Sequence, residues 1–364
     1  MIVPKLQGRR SIVLRRCSTV GQVERSIGNQ TVDIERLISA NNVTVVKTFE
    51  LEGVTGSVPG ARTDIDEIIA LKRSGVDFDL LICSNSDRFT RSGQGHGGNL
   101  LWDLEGEGIT VYFAAEGLFS DDRLQRMMLG FLFDAAQQTA ISISRSATLG
   151  VTNRYLEGRL PHSRAPIYGL DRMYYTGDRD LHIIRALPDG TQHMIDPTTG
   201  DVLRSFGQNP TKGTPVHYIK QKNEDVRLIP GDPARVAVVH LIFELVYVER
   251  RSFHSIAKQL NDANIPSPRG LEWEGDAVKS ISINPTYVGL LRRGVTTQAI
   301  YFKAARGSPA PSEVVAKELR ERKKPRLRRR PGEEWLMRED PILRDFLPAH
   351  VFQLARPAIE ARKP

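Results

Sequence analysis

Hydrophobic and polar residues alternate with two different periods along the first third of the chain. Strand periodicity covers SIVLRRC (11–17), VTVVKTFEL (43–51), DLLICS (79–84) and ITVYFAA (109–115). Helical periodicity covers SIGNQTVDIERLISANN (26–42), TDIDEIIALKRSG (63–75) and the residues around 100–104. Strands that alternate with helices at this spacing predict an α/β fold with a mainly parallel sheet flanked by helices.

A long proline-free stretch follows. Residues 121–157 contain no proline, and the pattern predicts one long helix. Two interpretations of this helix remain open: it packs on its own sheet, or it projects and pairs with another subunit. Its apolar residues are more numerous than a small domain could cover: Leu124, Met127, Met128, Phe131, Leu132, Ala135, Ile141 and Leu149.

The second half of the chain has a different pattern. GRLPHSRAPIYG (158–169) ends the long helix, and a turn-rich, weakly periodic stretch runs to about residue 230. Two helices are then predicted in 232–268 and a third in EGDAVKSISIN (274–284). This arrangement is typical of a helix-turn-helix region, although a small helical bundle would show the same pattern.

Four parts are therefore expected. They are a sheet domain (1–120), a long connecting helix (121–160), a mostly helical DNA-binding domain (161–300), and a basic linker with a C-terminal helical tail (301–364). We find no internal repeat.

The positive charge is concentrated in the second half. The chain has a net charge of +8, but residues 1–160 hold only 18 of the 51 Lys and Arg and 19 of the 43 Asp and Glu. The remainder carries +9, densest in KELRERKKPRLRRRPG (317–332). A basic half joined to a neutral half favours a polyanion, above all nucleic acid, as partner. The 317–332 run taken alone is equally well explained as a solvated basic tail.

Composition excludes several classes of protein. No apolar run approaches the roughly 18 residues of a membrane span, and MIVPKLQGRRSIVLRR (1–16) lacks the charged, apolar and small-residue order expected of a secretory signal. Two cysteines, Cys17 and Cys83, are too few for a four-cysteine zinc site. We expect a reduced, cytoplasmic protein that does not act at a membrane and needs no metal or other cofactor.

Chemically active side chains follow the carboxyl ends of the predicted strands, which meet at one edge of a parallel sheet. Arginine suits phosphate chemistry because its planar group grips two oxygens and stays charged. Taken singly, Ser18 is more often a cap or turn residue, and SDRFTR is more often a surface salt bridge. The residues brought to this edge are Arg16, Ser18, Gln22, Gln30, Thr55, Arg62, Asp87, Arg88 and Arg91.

The order of these motifs is similar to that of the serine recombinase (resolvase/invertase) family. RRCSTVGQ with SIGNQ, EGVTG with GAR, SDRFTR, and the long helix with SRSATLG resemble its catalytic domain. APIYG, IFELVYVERRSFHSIAKQLNDANIPSPRGLEW and NPTYVG resemble the recombinase domain of its large members. The resemblance covers residues 12–294. It implies double-stranded DNA cleavage through a serine joined to the 5′ phosphate, then strand exchange by a tetramer.

The resemblance also implies roles for individual residues. Ser18 matches the nucleophile; Arg16, Arg62, Arg88 and Arg91 match the phosphate-binding arginines; and Gln22, Gln30, Thr55 and Asp87 match polar positions of the same site. The implied partners are double-stranded DNA attachment sites and further copies of this chain, as a homodimer on DNA that assembles to a tetramer. No nucleotide or metal is required.

Some positions differ from the family pattern. Leu14 and Cys17 replace the usual tyrosine and valine, and Glu52 and Thr55 replace aspartate and serine. On the long helix, Gln138 and Ser144 stand at positions that are usually acidic, whereas Arg145 is retained. The cysteine-bearing zinc ribbon and coiled coil of large members are absent, which indicates a fragment or a shortened relative.

In the basic half, the helix near Asp276–Ser282 is expected to enter the DNA major groove, with Lys279 as its main contact. Arg269, Arg292 and Arg293 are the other expected DNA contacts.

Two other functions remain as alternatives. One is a catalytically silent DNA-binding relative, which the altered long helix favours and the retained Ser18 and arginines disfavour. The other is a small-molecule phosphoesterase, which would need a general base near Ser18. No histidine occurs in the first 90 residues, so this function is disfavoured.

Overall fold

The computed structural model describes residues 2–17, 23–52, 63–160, 166–208, 213, 216–312 and 327–361. For 16, 17, 23–31, 51 and 52 it describes the backbone alone. The chain divides into two compact units. The first is Met1–Ala147 with Gln298–Lys303 and Ala310–Arg328, and the second is Thr148–Thr297 with Ala304–Pro309 and Arg329–Pro364.

The first unit contains a five-stranded sheet of order β2-β1-β3-β4-β5, parallel except for β5. The predicted α/β fold is confirmed; the short antiparallel β5 was not foreseen. The strands are β1 (Arg10–Cys17), β2 (Thr44–Glu52), β3 (Leu80–Cys83), β4 (Thr110–Phe113) and β5 (Leu118–Phe119). The helices are α1 (Val23–Ala40), α2 (Thr63–Arg73), α3 (Ser86–Phe89), α4 (Gln94–Gly106) and α5 (Arg123–Leu156).

Alternate residues of β1, β3 and β4 are buried on opposite faces of this sheet, because side chains of a strand alternate in direction. Leu14, Cys83 and Phe113 pack in one core with residues of α2, α4 and α5. Val13 and Tyr112 pack in the other with residues of α1. Helices on both faces leave the carboxyl ends of the parallel strands as the edge where loops can carry function.

The second unit begins with a five-stranded antiparallel sheet of order β10-β6-β7-β8-β9. Sequence analysis described this region only as turn-rich and did not predict the sheet. Its strands are β6 (Leu170–Thr176), β7 (Arg179–Ala186), β8 (Gln192–Ile195), β9 (Val202–Phe206) and β10 (Asp225–Pro230).

The three helices predicted after residue 232 are present, and they share one core with the C-terminal helix. A turn of π-helix, Glu244–Val248, continues α6. The helices are α6 (Pro233–Phe243), α7 (Phe253–Asp262), α8 (Gly275–Ser282), α9 (Pro341–Arg344) and α10 (Ala349–Glu360). Short strands complete the chain: β11 (Leu290–Arg293), β12 (Thr296–Thr297), β13 (Phe302–Lys303), β14 (Ala310–Pro311), β15 (Arg328–Arg329) and β16 (Leu336–Glu339). No helix in the described ranges is both long and apolar enough to span a bilayer.

Candidate functional site

The carboxyl ends of β1 and β3 lie side by side at one edge of the parallel sheet. The two strands pair in parallel with Leu14 opposite Cys83, and β1 runs on to Cys17. Ser18 is the next residue of the chain after β1, and α3 begins three residues after β3, at Ser86. The backbone therefore brings the segment that precedes Ser18 and the helix that carries Asp87 and Arg88 to the same edge.

Several predicted site residues lie outside what the structure describes. Ser18, Gln22, Thr55 and Arg62 are not among the described residues. Arg16 and Gln30 are described by their backbone alone, Arg16 in β1 opposite Leu51 of β2 and Gln30 in α1. Their catalytic roles stay predictions. The side chains that can be described at this edge are those of Asp87, Arg88 and Arg91.

Asp87 forms an ion pair with Arg91 and lies close to Arg88. Arg91 Nη2 donates a hydrogen bond to Asp87 Oδ2 at 2.6 Å, and Arg88 Nε lies 3.9 Å from Asp87 Oδ1. All three side chains are partly buried, with exposed fractions between 23% and 33%. The salt bridge that SDRFTR taken singly suggests is therefore present, and Asp87 also positions two cationic groups at the sheet edge. Since a guanidinium carries five N–H donors, Arg91 can bind Asp87 and a phosphate oxygen together.

A neighbouring acid anchors the short helix α3. Ser86 donates two hydrogen bonds to Glu116 Oε1, at 2.8 Å from its amide and at 2.7 Å from its hydroxyl. On the next turn, Phe89 is fully buried and packs against Phe113 and Phe133, at centroid distances of 5.4 and 5.8 Å. These contacts fix the backbone of Asp87 and Arg88. Sequence analysis did not single out Glu116, which lies after β4.

Helix α5 contacts the chain just after the arginines. Asp134 Oδ1 accepts a hydrogen bond at 2.7 Å from the amide of Gln94, the first residue of α4. Gly93 has a φ of 87° and lies so close to α5 that a Cβ there would overlap Gln137. Gly97 packs with equal closeness against the Phe133 ring. The glycine-rich SGQGHGG (92–98) therefore permits α4 and α5 to approach closely beside the site.

We expect Gly97→Ala to destabilise the protein. The new methyl group would overlap the ring of Phe133, which also packs on Phe89 of the arginine-bearing helix. Overpacking of this kind costs about 1–3 kcal/mol. Urea unfolding measures the loss. Gly98→Ala is the matched control, because Gly98 is exposed on the same helix with nothing within 4 Å of the added carbon. Gly98→Ala should raise the free energy of unfolding by up to about 1 kcal/mol, because alanine has a higher helix propensity than glycine. Equal effects of the two changes would contradict the close packing.

Arg15, next to a predicted site residue, has a structural role. Its side chain is only 12% exposed and lies 3.2 Å from Glu50 and 3.9 Å from Glu35. It therefore joins β1, β2 and α1.

One stripe of α5 exposes large apolar side chains. Leu124, Met127, Met128 and Phe131 are 65%, 55%, 47% and 69% exposed. Their spacing of three and four residues places them on one face of the helix. Leu129 and Phe133 of the same helix are buried against the sheet. The helix thus packs on its own sheet and also presents an uncovered apolar stripe.

In the second unit, polar contacts join α7 to the segment before α8, and join the π-helical turn to the end of α8. Asn261, near the end of α7, accepts a hydrogen bond at 2.7 Å from the Trp273 amide and donates one at 3.0 Å to its carbonyl. The Tyr247 hydroxyl donates to the Ser282 carbonyl at the end of α8, at 2.9 Å. Lys279 is exposed on α8, and Asp276 lies one turn before it.

The other expected DNA contacts have different surroundings. Arg269 is exposed in the connection between α7 and α8. Arg292 is exposed on β11, with its guanidinium 5.6 Å from the centre of the Trp335 ring. Arg293 is partly buried, and burial lowers its pKa. All three residues belong to the second unit.

Comparison with known proteins gives matches to two family models. The model of the resolvase N-terminal domain matches residues 11–160, and the Recombinase model matches residues 233–344. Comparison with curated proteins gives no match.

Three solved structures are similar to part of the chain. The N-terminal catalytic domain of TP901-1 integrase is 17% identical, with 37% of this chain and 98% of that one covered and a TM-score of 0.29. A resolvase family site-specific recombinase from Streptococcus pneumoniae is 19% identical, with 40% and 98% covered and a TM-score of 0.30. The C-terminal catalytic domain of ISC1926 TnpA, an IS607-like serine recombinase, is 18% identical, with 39% and 84% covered and a TM-score of 0.26.

The two family models follow each other in the order that the sequence motifs predict, and residues 1–10, 161–232 and 345–364 are matched by neither. The chain therefore belongs to the serine recombinases, with a resolvase-type N-terminal domain followed by a Recombinase domain.

Proposed function

We propose that this chain is a site-specific recombinase that cleaves and rejoins double-stranded DNA through a covalent 5′-phosphoserine formed on Ser18. One observation carries the proposal. Asp87, Arg88 and Arg91 lie at the carboxyl edge of the sheet where β1 ends, one residue before Ser18, in a chain that matches the resolvase model over 11–160.

The reaction is a phosphoryl transfer in two steps. The Ser18 oxygen forms a bond to phosphorus as the bond from phosphorus to the 3′ oxygen breaks; the serine loses its proton and the 3′ oxygen gains one. In the second step, the 3′ hydroxyl of a different DNA end attacks the phosphoserine and releases Ser18. One phosphate ester replaces another each time, so the reaction conserves bond energy and needs no nucleotide.

The arginines supply the electrostatic part of the reaction. Charge accumulates on the non-bridging oxygens of the phosphate as the serine attacks, and preorganised cations at those oxygens lower the barrier. Asp87 restricts the guanidinium of Arg91 through the 2.6 Å ion pair, which reduces the entropy lost on binding phosphate. Arg16 and Arg62 are proposed to complete this cationic site, with Gln22, Gln30 and Thr55 as further polar contacts to the DNA.

The second unit is proposed to bind the attachment site. Lys279 on α8 would contact base edges, and the exposed Arg269 would contact the backbone. The apolar stripe of α5 supports pairing of two copies on DNA, because four exposed large apolar side chains on one helix face gain by being covered. Two such dimers would form the tetramer that exchanges strands.

A plasmid recombination assay tests the proposed function. The DNA that flanks the gene supplies the candidate attachment sites, and one plasmid carries two copies of them. The purified chain should convert it into recombinant circles whose junctions retain every nucleotide, while a plasmid with scrambled sites stays unchanged. Binding to the sites without cleavage or joined products, in both direct and inverted orientation, would show a silent DNA-binding relative instead.

A further inference from the structure

We propose that Arg292 and Arg329 form a phosphate clamp on the ring of Trp335, and that the clamp holds one phosphodiester group of the DNA backbone. This inference rests on the proposed function, because it takes DNA as the ligand of the second unit. It adds one specific contact within the second unit, with a phosphodiester of the bound DNA as the anion.

Both arginines stack on the same aromatic ring. The guanidinium carbons of Arg292 and Arg329 lie 5.6 and 5.8 Å from the centre of the Trp335 ring. Stacking on tryptophan orients the plane of a guanidinium and leaves its N–H edge available. Both arginines are exposed, so this edge is accessible to a large ligand.

The Trp335 ring is a rigid support. It is 7% exposed, and its Nε1 donates to the carbonyl of Arg330 at 3.0 Å. Arg330 is itself buried and forms an ion pair with Glu334 at 3.0 Å. On the other side, Arg292 belongs to β11, which pairs in antiparallel register with β16 directly after Trp335. Strand pairing thus fixes the backbone of Arg292, and stacking on the buried Trp335 ring fixes the orientation of both guanidinium groups.

The charge of this pair is not balanced. In the part of the chain that the structure describes, neither Arg292 nor Arg329 has a carboxylate within ion-pair distance, whereas the adjacent Arg330 does. Although Arg292 is exposed, partial desolvation lowers the pKa of its guanidinium, and the nearby charge of Arg329 lowers it further. Two cations held together without an acid repel each other. A bound anion relieves this repulsion, which favours an anion over a neutral ligand.

A phosphodiester fits this geometry. It carries one negative charge and two non-bridging oxygens, and an arginine fork matches such a pair of acceptors. A free phosphate ion offers the same chemistry. We assign the clamp to the DNA backbone because the residues after 160 carry a net charge of +9, which attracts a polyanion to this part of the chain.

Salt-dependent DNA binding by the full chain tests the clamp. The variants are Arg292→Gln, Arg329→Gln and the double variant, and binding to a labelled duplex is measured by fluorescence anisotropy from low to high salt. Each single change should weaken binding about tenfold and lower the salt slope by about one. The double variant should be little weaker than either single one, since both arginines hold the same phosphate.

Arg204→Gln is the matched control, because Arg204 is also exposed and stacks on one ring, that of Phe206 at 4.9 Å. Among the described residues, no second arginine stacks on that ring. It should bind DNA as the unchanged chain does. Unchanged binding by the three clamp variants, or losses that add fully in the double variant, would overturn the shared clamp. A wild-type chain that binds no duplex would instead contradict the proposed function.

Competition with inorganic phosphate shows whether the clamp binds a phosphodiester of DNA or a free phosphate ion. At constant ionic strength, millimolar phosphate should not compete with DNA for the unchanged chain. The other contacts of the bound duplex hold its phosphodiester at the clamp, whereas a free phosphate ion has no such support. Competition that disappears in Arg292→Gln would overturn the assignment to the DNA backbone and indicate a site for free phosphate.

Discussion

Ser18→Ala is expected to abolish DNA cleavage while DNA affinity stays within a factor of about two. The hydroxyl oxygen is the only atom of the chain that the mechanism bonds to phosphorus, so its removal should lower the cleavage rate by roughly 10⁴-fold or more. Affinity should persist because the residues that carry the excess positive charge all lie after 160. Cleavage of a labelled duplex and anisotropy on the same duplex measure the two quantities.

Thr19→Ala is the control for this change, since it removes the neighbouring hydroxyl and leaves the proposed nucleophile in place. It should retain cleavage. Normal cleavage by Ser18→Ala, or loss of cleavage only in Thr19→Ala, would assign the nucleophile to another residue.

Arg88→Lys should reduce cleavage by about 10²–10³-fold although the charge is kept. Lysine presents a point charge and cannot bind two phosphate oxygens in one plane, so the transition state loses alignment. DNA binding should change little, because this loss occurs at one phosphate among many. Single-turnover cleavage at saturating protein measures the effect.

Arg73→Lys provides the comparison. Arg73 is an exposed arginine of the same unit, paired with Glu107 at the end of α2. An exposed ion pair contributes little to stability, so this variant should cleave at the normal rate. Near-normal cleavage by Arg88→Lys as well would mean that Arg88 serves only as a salt-bridge partner of Asp87.

The parallel sheet could be predicted from the sequence because each of its inner strands is buried on both faces. Continuous apolar runs such as LLIC in β3 are diagnostic of that environment. The order of motifs then placed Asp87, Arg88 and Arg91 at the strand ends, where the structure has them. The Asp87–Arg91 ion pair agrees with the interpretation of SDRFTR as a salt bridge.

The antiparallel sheet of the second unit could not be predicted in the same way. Its edge strand β9 exposes Val202 and Leu203, and β7 shows only partial alternation of buried and exposed residues. Without a clear two-residue period, the glycine turns at 177, 190 and 200 suggest loops as readily as hairpins. All three glycines have positive φ at the turns between β6, β7, β8 and β9.

Contacts between residues far apart in the sequence could not be predicted either. Glu116 reaches Ser86 across 30 residues, and Asp134 reaches Gln94 across 40. The Arg292–Trp335 contact spans a similar distance. Periodicity describes one element at a time, so partners of this kind appear only when the elements are packed. The glycine cluster 92–98 was the one local feature that could have indicated a close approach.

The most direct test of the account is to locate the covalent bond between protein and DNA. The full chain is reacted with a suicide duplex, nicked so that the cleaved strand diffuses away, and the adduct is digested with trypsin and sequenced by mass spectrometry. The account predicts a 5′-phosphonucleotide on Ser18, within the peptide CSTVGQVER (17–25). An adduct on any other side chain, or cleaved DNA with no adduct, would contradict it.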